Sequence, residues 1–383
     1  MKYVFQIFTG DLSEKSLADP QEIIRKLTKA HKAGKLAGVL CGWTKDKAFY
    51  QALGKQLHKW GVPMYLKIAV FSELSGYKEF ESMIDYYGKP MKPYVLNPEE
   101  SFEFRCPLSQ HNRSVLNEIY NESFSDLPFD GIFLDRIRYS SFLSGVAGIG
   151  GCFCPECVKR YEAAGIPVDE LRQRLIQLEA EKDLRLFAYE NGRWSLEDPL
   201  LQAFFDVKCQ IISEALKEYA DYFHGRGMKI GFDLFAPAFG YFCGQNAQEL
   251  RQFADFVKPM MYRHTDAPAG LPCERERMIL AVGEQVGGQM DQLVGDSSEH
   301  FKGFVTQELN WLKLQEGCEV WPGIEANYIE PIALIHPGEL LENLQLLTSL
   351  GYDTMVASWN LNKIPEENLN TLLEFYLEKL LIF

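Results

Sequence analysis

The stretch Phe129–Tyr139, FDGIFLDRIRY, determines which fold we expect for this chain. Its centre, Gly-Ile-Phe-Leu, is a short apolar run typical of a strand that is buried on both faces, as in a parallel sheet. The run ends at Asp135, which is followed by Arg136, Arg138 and a loop rich in Ser and Gly. A carboxylate at the C-terminal end of a core strand is costly to desolvate unless it is paired or used. Asp135 is therefore a candidate active-site acid, and the alternative is a structural Asp–Arg pair.

Strand-like and helix-like segments alternate along the rest of the chain. Eight runs have strand character: Tyr3–Phe8, Leu36–Trp43, Val62–Phe71, Phe129–Tyr139, Met228–Pro237, Ala254–Tyr262, Cys318–Asn327 and Tyr352–Asn360. The predicted helices are Pro20–Lys32, Asp46–Trp60, Arg113–Asn121, Leu200–His224, Ala247–Phe253, Glu299–Glu316, Gly338–Leu350 and Glu366–Leu380. This alternation predicts parallel pairing with right-handed crossovers, and eight such units close into a (β/α)₈ TIM barrel of the α/β class.

The lengths of the connections indicate where the function lies. We expect residues 1–383 to form a single barrel catalytic domain with a loop and helical insertion at about 140–200. The insertion should contain a charged helix, Val168–Leu186, and a mobile glycine-rich loop, Gly145–Gly151. The segments after strands three, four and six are long, whereas those that precede strands are short. Because βα loops carry the function of such barrels, the active site is predicted at the C-terminal face.

Composition and charge narrow the class of function. The 383 residues are 46% hydrophobic, which suffices for a large core, and 39 basic against 53 acidic side chains give a net charge of −14. Because the chain has no basic block, we expect it to bind neither nucleic acid nor an anionic membrane. No apolar run is long enough to span a bilayer, and the N-terminal segment lacks the features of a signal peptide. We therefore expect a cytoplasmic protein, and the sequence leaves its oligomeric state open.

Two further carboxylates lie near the ends of predicted strands. Asp233 follows Gly231 by two residues in strand five, and Glu325 follows Gly323 by two residues in strand seven. Together with Asp135 they should converge at the barrel mouth, and paired carboxyl groups are what glycoside hydrolysis requires. Polar and aromatic residues near strand ends are candidates for binding a sugar: Trp43, Arg138, Tyr262, His264, Asn327, Trp359 and Asn360. Lys67 is a further candidate, because it is a charge inside the apolar run of strand three.

Glu325 is the preferred partner of Asp135, and Asp233 is its rival. Strands four and seven face each other across an eight-stranded barrel, and Glu has one more methylene than Asp with which to span the mouth. Asp233, on the neighbouring strand, could instead bind a hydroxyl group or tune the pKa of Asp135. We expect carboxyl groups about 5 Å apart, which is the spacing of a retaining glycosidase.

The segments FDGIFLDRIRY, DFVKPMMY, VWPGIEAN and GYDTMVASWN resemble a large group of glycosyl hydrolases with a TIM barrel. Members of that group carry a similar D-G-I-x-x-D-x-I-R-Y signature on the fourth strand, and the similarity runs through roughly the second two-thirds of this chain. The resemblance implies a carbohydrate substrate and no organic cofactor. It also implies functional roles for Asp135 and Arg138, with either Glu325 or Asp233 as the second acid.

The cysteines form a separate motif. Cys152, Cys154 and Cys157 make a C-x-C-x-x-C pattern in the loop after strand four, and Cys106 stands in an Arg-Cys-Pro segment. Four thiolates suit tetrahedral zinc. The pattern resembles the zinc site of the metal-containing β-galactosidases of glycoside hydrolase family forty-two, which implies a structural Zn²⁺ held by these four cysteines. Free or disulfide-bonded thiols and an iron–sulfur cluster are the alternatives.

Two other functions stay open at this point. A catalytically silent carbohydrate-binding barrel is favoured if a single carboxylate faces the cleft. A barrel hydrolase with a catalytic metal is disfavoured, because the seven histidines form no H-x-H or H-E-x-x-H pattern. The main prediction is a glycoside hydrolase that acts through paired carboxylates at the C-terminal face of the barrel.

Overall fold

Eight parallel strands close into a barrel, which confirms the predicted (β/α)₈ fold. The computed structural model describes residues 1–10, 12, 14–72, 80–97, 100–295, 298–314 and 317–375. The sheet closes because the first strand pairs with both the second and the eighth, and the fifth pairs with the sixth. The strands are β1 (Lys2–Phe8), β2 (Leu36–Gly42), β3 (Met64–Ala69), β4 (Gly131–Asp135), β5 (Lys229–Phe235), β6 (Phe256–Met260), β7 (Gly323–Glu325) and β8 (Thr354–Ser358).

Helices cover the outside of this barrel. Several begin at a side chain that accepts a hydrogen bond from a free N–H of the first turn, as Asp46 does from Phe49 and Asp198 from Leu200. The covering helices are Pro20–Lys32, Lys47–Lys59, Gln110–Ser123, Pro199–His224, Ala247–Leu250, Ser298–Lys313, Pro337–Ser349 and Glu366–Glu374. No helix among the described residues is both long and apolar enough to cross a membrane.

The barrel interior consists of an apolar layer beneath a polar one. The apolar layer is a buried cluster of Val4, Leu40, Tyr65, Phe133, Phe256 and Val356. Gly231 belongs to the same layer, because a Cβ there would lie 2.2 Å from the Phe256 ring. Successive inward-facing residues of a strand are two positions apart, so the next layer towards the C-terminal face is polar. That polar layer contains Gln6, Lys67, Asp135, Asp233 and Lys258.

Most additional elements lie in the connections that follow strands. After β3 come the paired segments Tyr94–Asn97 and Glu100–Phe102. After β4 come the helices Gly145–Gly150, Pro155–Ala163 and Val168–Glu181 and a hairpin of Leu186–Glu190 with Arg193–Leu196. The remaining connections contain helices Pro237–Gly240, Leu271–Val282 and Glu284–Val294, a hairpin of Tyr328–Ile329 with Ala333–Leu334, and short 3₁₀ helices at Phe142–Ser144, Tyr241–Cys243 and Leu361–Lys363.

Three predicted segments differ from the structure. Strand seven pairs in two pieces, Glu319–Val320 and Gly323–Glu325, because the intervening Trp321–Pro322 includes a proline that lacks a donor N–H. The charged helix from Val168 ends at Glu181 rather than Leu186, since Lys182 adopts a left-handed conformation with φ 53°. Residues 145–151 were expected to be a mobile loop, but Gly145–Gly150 is a helix whose Gly148 packs against the Ser141 carbonyl, which leaves no room for a Cβ.

Candidate active site

Asp135 ends β4 with both carboxylate oxygens engaged. Oδ2 accepts a hydrogen bond from Lys67 Nζ, which comes from the neighbouring strand β3, and Oδ1 accepts one from the backbone N–H of Arg136 at 2.7 Å. The Lys67 and Asp135 side chains are 7% and 15% exposed, so the pair is shielded but Asp135 reaches the barrel mouth. Arg136 in turn donates to Ser72 Oγ at 2.9 Å. The neighbourhood of Asp135 therefore favours the ionised carboxylate.

Asp233 lies on the next strand, beside a second buried lysine. Its Oδ2 is 3.0 Å from Lys258 Nζ of β6, and Lys258 also donates to Gln6 Oε1 of β1 at 3.2 Å. The side chains of Lys258 and Asp233 are 1% and 3% exposed. Among the residues that the structure describes, Asp233 Oδ1 has no hydrogen-bond partner. This oxygen is free to carry a proton.

The strand register brings the two aspartates side by side. Leu134 of β4 pairs with Phe232 of β5, so the following residues, Asp135 and Asp233, occupy equivalent positions on adjacent strands. Adjacent strands are about 4.8 Å apart. Each aspartate is paired with a lysine on its other neighbouring strand. The spatial order across the four consecutive strands β3 to β6 is therefore Lys67, Asp135, Asp233 and Lys258.

The two carboxyl groups have opposite pKa shifts. Burial raises the pKa of Asp135, but the charges of Lys67 and Arg136 outweigh it, so the net pKa is well below the ordinary value. Burial raises the pKa of Asp233 to about 6, and the nearby negative charge of Asp135 adds to that effect, while Lys258 partly offsets it. In many enzymes the environment separates the pKa values of two neighbouring acids. The acid with the lower pKa is then the base or nucleophile, and the acid with the higher pKa is the proton donor.

Glu325 makes a different set of contacts. Its carboxylate accepts hydrogen bonds of 2.8 Å from the backbone N–H groups of Arg263 and His264 and from Thr265 Oγ1. Asn343, on the helix Pro337–Ser349 outside the barrel, also donates to it at 3.4 Å. Burial raises the pKa of Glu325, whereas these hydrogen bonds lower it. Glu325 is thus occupied in holding the loop that follows β6, and these contacts favour a positioning role.

Trp43 and Arg138 are buried beside the four charged residues of the polar layer, Lys67, Asp135, Asp233 and Lys258, which we call the charged layer. Lys67 Nζ lies 4.6 Å from the centroid of the Trp43 ring, and Trp43 is 3% exposed, so its face is covered by the protein itself. The Arg138 guanidinium lies 3.9 Å from the Phe235 ring and 4.4 Å from the Phe104 ring, and it donates to the Tyr139 carbonyl at 2.9 Å. Both side chains support the floor and wall of the site.

Asn327 joins the ends of β7 and β8. Its Nδ2 donates to the Asn360 carbonyl at 2.7 Å, and its Oδ1 accepts the backbone N–H groups of Trp359 and Asn360. Asn360 Oδ1 accepts the Phe8 N–H of β1 at 3.4 Å. These contacts fix the position of Trp359. Trp359 is half-buried, whereas the other two predicted aromatic residues, Trp43 and Tyr262, are buried, so it is the most accessible of the three to a ligand.

Tyr262 and His264 follow β6 on the same side of the mouth. The Tyr262 ring lies 6.2 Å from the Trp359 ring, and its hydroxyl is buried without a hydrogen-bond partner among the described residues. Burial raises the pKa of Tyr262 to about 12, so the hydroxyl keeps its proton. His264 is half-buried, and its backbone is held by Glu325. These two side chains lie within the same part of the site as Asp233 and Lys258.

The four predicted cysteine ligands form one cluster. The sulfur atoms of Cys106, Cys152, Cys154 and Cys157 all lie within 4.8 Å of one another. Cys106 Sγ is 3.5 Å from Cys157 Sγ and 3.6 Å from Cys154 Sγ. Four sulfurs at the usual zinc–sulfur distance of a tetrahedral site would be about 3.8 Å apart. The separations exceed a disulfide bond of about 2.05 Å, so the cluster has the size of a metal site and contains no disulfide.

Two residues of the polar layer, Lys258 and Gln6, were missed at the level of sequence. Lys258 stands two positions after Phe256 in β6, on the inward face, in the same way that Lys67 follows Tyr65 in β3. A charge inside an apolar strand is the signal that identified Lys67, and the same signal applies to Lys258. Gln6 gave no such signal, because a single amide in a strand does not indicate which face it occupies.

Comparisons with known proteins agree with the fold. No protein family model matches the sequence, and no curated protein matches it. The solved glycoside hydrolase domain of PgaB (BpsB) from Bordetella bronchiseptica is similar, with a TM-score of 0.55 and 16% identity over 97% of this chain and 95% of that chain. Alpha-L-fucosidase isoenzyme 2 from Paenibacillus thiaminolyticus has a TM-score of 0.49 and 13% identity over 97% of this chain and 48% of that chain. At 16% identity, the similarity to the PgaB domain shows that this chain shares its barrel fold.

Proposed function

We propose that this protein is a glycoside hydrolase whose reaction takes place between Asp135 and Asp233 at the C-terminal face of the barrel. The observation that carries the proposal is the placement of two carboxyl groups with opposite pKa shifts on adjacent strands. Glycosidic bond cleavage needs one carboxylate that is ionised and one carboxyl that is protonated. The similarity of the fold to a glycoside hydrolase domain supports the same class of reaction.

In the proposed mechanism, Asp135 is the ionised group. Lys67 and the Arg136 N–H stabilise its negative charge and fix its orientation. A carboxylate held in this way can attack the anomeric carbon and form a covalent glycosyl ester, while the bond to the leaving oxygen breaks. We infer this retaining route because adjacent strands suit carboxyl groups about 5–5.5 Å apart, whereas inversion needs a wider gap for water.

Asp233 is the proposed proton donor. Its Oδ1 would give a proton to the leaving oxygen, and the resulting carboxylate would then take a proton from the water that releases the sugar from Asp135. Lys258 at Oδ2 orients the group and keeps the pKa from rising further. This assignment moves the second catalytic role from Glu325, the partner preferred on sequence grounds, to Asp233.

Glu325 acts in this proposal as a positioning residue. By accepting two backbone N–H groups of the β6 loop, it fixes the place of Tyr262 and His264 relative to the two aspartates. Asn327 does the same for Trp359 and Asn360. We propose that the sugar is surrounded by Tyr262, His264 and Trp359. The buried side chains of Arg138, Lys67 and Trp43 would support the site from beneath.

The cysteine cluster is proposed to hold a structural zinc ion. Cys106 belongs to the connection after β3, and the other three ligands belong to the connection after β4, so one ion would join two long loops. With four protein ligands, zinc has no open coordination position and would supply stability rather than chemistry. None of the nine cysteines forms a disulfide, which also favours the predicted cytoplasmic location.

Hydrolysis of activated aryl glycosides tests the proposed function. The purified protein should release the aryl group from at least one member of a broad panel. Asp135→Asn should abolish that release and Asp233→Asn should slow it strongly, while both variants stay folded. Asp126→Asn is the matched control, because Asp126 is exposed and pairs with Lys47 away from the mouth. Proton NMR of the first-formed anomer would distinguish retention from inversion. Activity that is equal in the Asp135→Asn and parent proteins would contradict the proposal.

A catalytically silent carbohydrate-binding barrel is the second candidate. The low exposure of Asp233 favours it, since a buried acid could serve the fold alone. Binding of an oligosaccharide without its cleavage, by the parent protein and by Asp135→Asn alike, would support that function instead.

A further inference from the structure

A surface groove lies away from the charged layer of the barrel. It runs between the hairpin formed by Leu186–Glu190 and Arg193–Leu196 and the helix Ser298–Lys313, and its volume is about 560 Å³. This volume is within the range of about 300–1,000 Å³ that is usual for small-molecule sites. We refer to it as the hairpin groove.

The side chains that line the hairpin groove are aromatic or carry neutral amides. Tyr189 and Trp311 are half-buried, and Asn191, Gln307 and Asn310 contribute amide groups. An amide offers both donors and acceptors, which matches a hydroxyl group that can do either. Among the described lining residues, Glu190 is the single charged one. This combination suits a neutral, hydroxyl-rich ligand with an apolar face.

The walls of the groove are held rigidly. Trp194 Nε1 donates to the Ala238 carbonyl at 2.7 Å, and the Ala238 N–H donates to Glu308 Oε2 at 3.2 Å, so the hairpin and the helix are fastened to the same turn. Gly192, at the tip of the hairpin, has φ +79°, and a Cβ there would lie 2.9 Å from the Trp311 ring. The tip of the hairpin therefore packs closely against the Trp311 indole.

Polar atoms beneath the groove are incompletely satisfied. Glu308 is fully buried, and its Oε1, the Tyr189 hydroxyl and the Trp311 indole N–H each lack a hydrogen bond of ordinary geometry among the described residues. The tyrosine hydroxyl and the indole N–H face the Glu308 carboxyl group, and both lower its pKa, which burial raises to about 7. These polar atoms are themselves buried, so they hold the two aromatic side chains in place beneath the groove.

We propose that the hairpin groove binds a neutral oligosaccharide, with one sugar ring against Trp311 and its hydroxyl groups on the amides of Asn191, Gln307 and Asn310. Aromatic rings present a large apolar face at little cost in conformational entropy, which suits the CH face of a sugar. The inference does not depend on the barrel being an enzyme, since the hairpin groove shares no residue with the charged layer. It would give the protein a second carbohydrate site.

Calorimetric titration of the Asp135→Asn protein tests this inference, because hydrolysis is then suppressed. The probes are maltohexaose, cellohexaose and the N-acetylglucosamine hexamer, with hexagalacturonic acid as the charged comparison. We expect at least one neutral hexasaccharide to bind, and we expect the additional double change Gln307→Ala and Asn310→Ala to weaken it at least tenfold. These two side chains are exposed, so their removal should leave folding intact. Lys302→Ala, an exposed position on the same helix outside the lining, is the matched control.

Trp311→Ala provides the second measurement and should abolish binding, with thermal unfolding used to verify that the variant is folded. The inference would be overturned if no neutral hexasaccharide binds at about 10 mM, the weak end of the measurable range. It would also be overturned if binding is indifferent to the groove changes, or if the acidic oligosaccharide binds more tightly than every neutral one. Failure of the proposed enzyme function would show instead as absent hydrolysis by the parent protein, which these titrations do not measure.

Discussion

Asp233 Oδ2 is 3.0 Å from Lys258 Nζ inside the barrel, and the other oxygen of this carboxyl group has no hydrogen-bond partner among the described residues. The neighbouring Asp135 has both oxygens engaged. The contacts of these two acids on adjacent strands therefore favour different protonation states, ionised for Asp135 and protonated for Asp233.

Asp135→Asn should reduce turnover by several orders of magnitude on any glycoside that the parent protein cleaves. The amide keeps the shape of the side chain but can neither attack the anomeric carbon nor stabilise positive charge there. Steady-state kinetics with the best substrate from the aryl glycoside panel would measure the loss, with circular dichroism as the folding check. Near-normal turnover would remove Asp135 from the mechanism.

The pH dependence of kcat/KM should be bell-shaped, with a basic limb at about pH 6. Activity falls above that pH because Asp233, whose pKa is about 6, loses the proton it must donate. Lys258→Met removes a positive charge that favours the ionised form, so the basic limb should move to higher pH by about one to three units. Lys229→Met, at the opposite end of β5 and exposed, is the control and should leave the profile unchanged. A basic limb that stays in place in Lys258→Met would exclude Asp233 as its origin.

Asp233 should make folding stability decline as pH rises from about 4 to about 6. The pKa of this group is raised from 3.8 in the unfolded chain to about 6 in the folded protein, so its contribution is complete below 3.8 and is lost as pH passes through the folded value. The difference corresponds to about 3 kcal/mol. Urea unfolding across this range should show the decline in the parent protein and not in Asp233→Asn. An identical slope in both proteins would contradict the prediction.

Asp135 should act on stability in the opposite direction. Its folded-state pKa lies below the ordinary 3.8, so the stability it contributes is present above that value and is lost as pH falls below it. The acid side of the stability curve, measured in the same experiment, should therefore flatten in Asp135→Asn. A parent-like acid limb in this variant would show that Lys67 does not stabilise the carboxylate.

Glu325 and Asp233 should respond differently to external azide. In Asp233→Ala, azide can enter the space left by the carboxyl group and attack the glycosyl ester, so activity on a glycoside with a good leaving group should be partly restored. Glu325→Gln should raise KM by loosening the β6 loop and should gain nothing from azide. Rescue of Glu325→Gln together with no rescue of Asp233→Ala would return the second catalytic role to Glu325.

Metal analysis should find about one zinc ion per chain after purification without added metal. Because binding to the folded state alone stabilises it, by about 4 kcal/mol when free metal exceeds Kd a thousandfold, Cys154→Ala should lower Tm clearly. Cys318→Ala, a half-buried cysteine outside the cluster, should change Tm little. Metal-free protein that matches the Tm of the purified form would refute the structural zinc.

The barrel and the cysteine cluster were predictable from sequence because each depends on a repeated or closely spaced pattern. Eight alternating strand–helix units usually close into one architecture, the (β/α)₈ barrel. Three of the four cysteines lie within six residues of one another. The contacts of Glu325 were not predictable, because alternation within β7 says nothing about the path of the loop after β6 that supplies its partners. The choice of Asp233 likewise required the register between β4 and β5 and the position of Lys258, which arise from packing between distant parts of the chain.

The charged layer also has a consequence for how sequences related to this one can diverge. Lys67 and Asp135 compensate each other, and Lys258 and Asp233 do so whenever Asp233 is ionised. Loss of one member of a buried pair costs about 3–5 kcal/mol, whereas replacement of both by apolar residues is often neutral. Positions 67 and 135 should therefore covary among homologues, and so should positions 233 and 258. A homologue that has lost Asp233 but keeps Lys258 should carry a new acid within reach of that lysine, and its position would show where a displaced proton donor can be tolerated in this barrel.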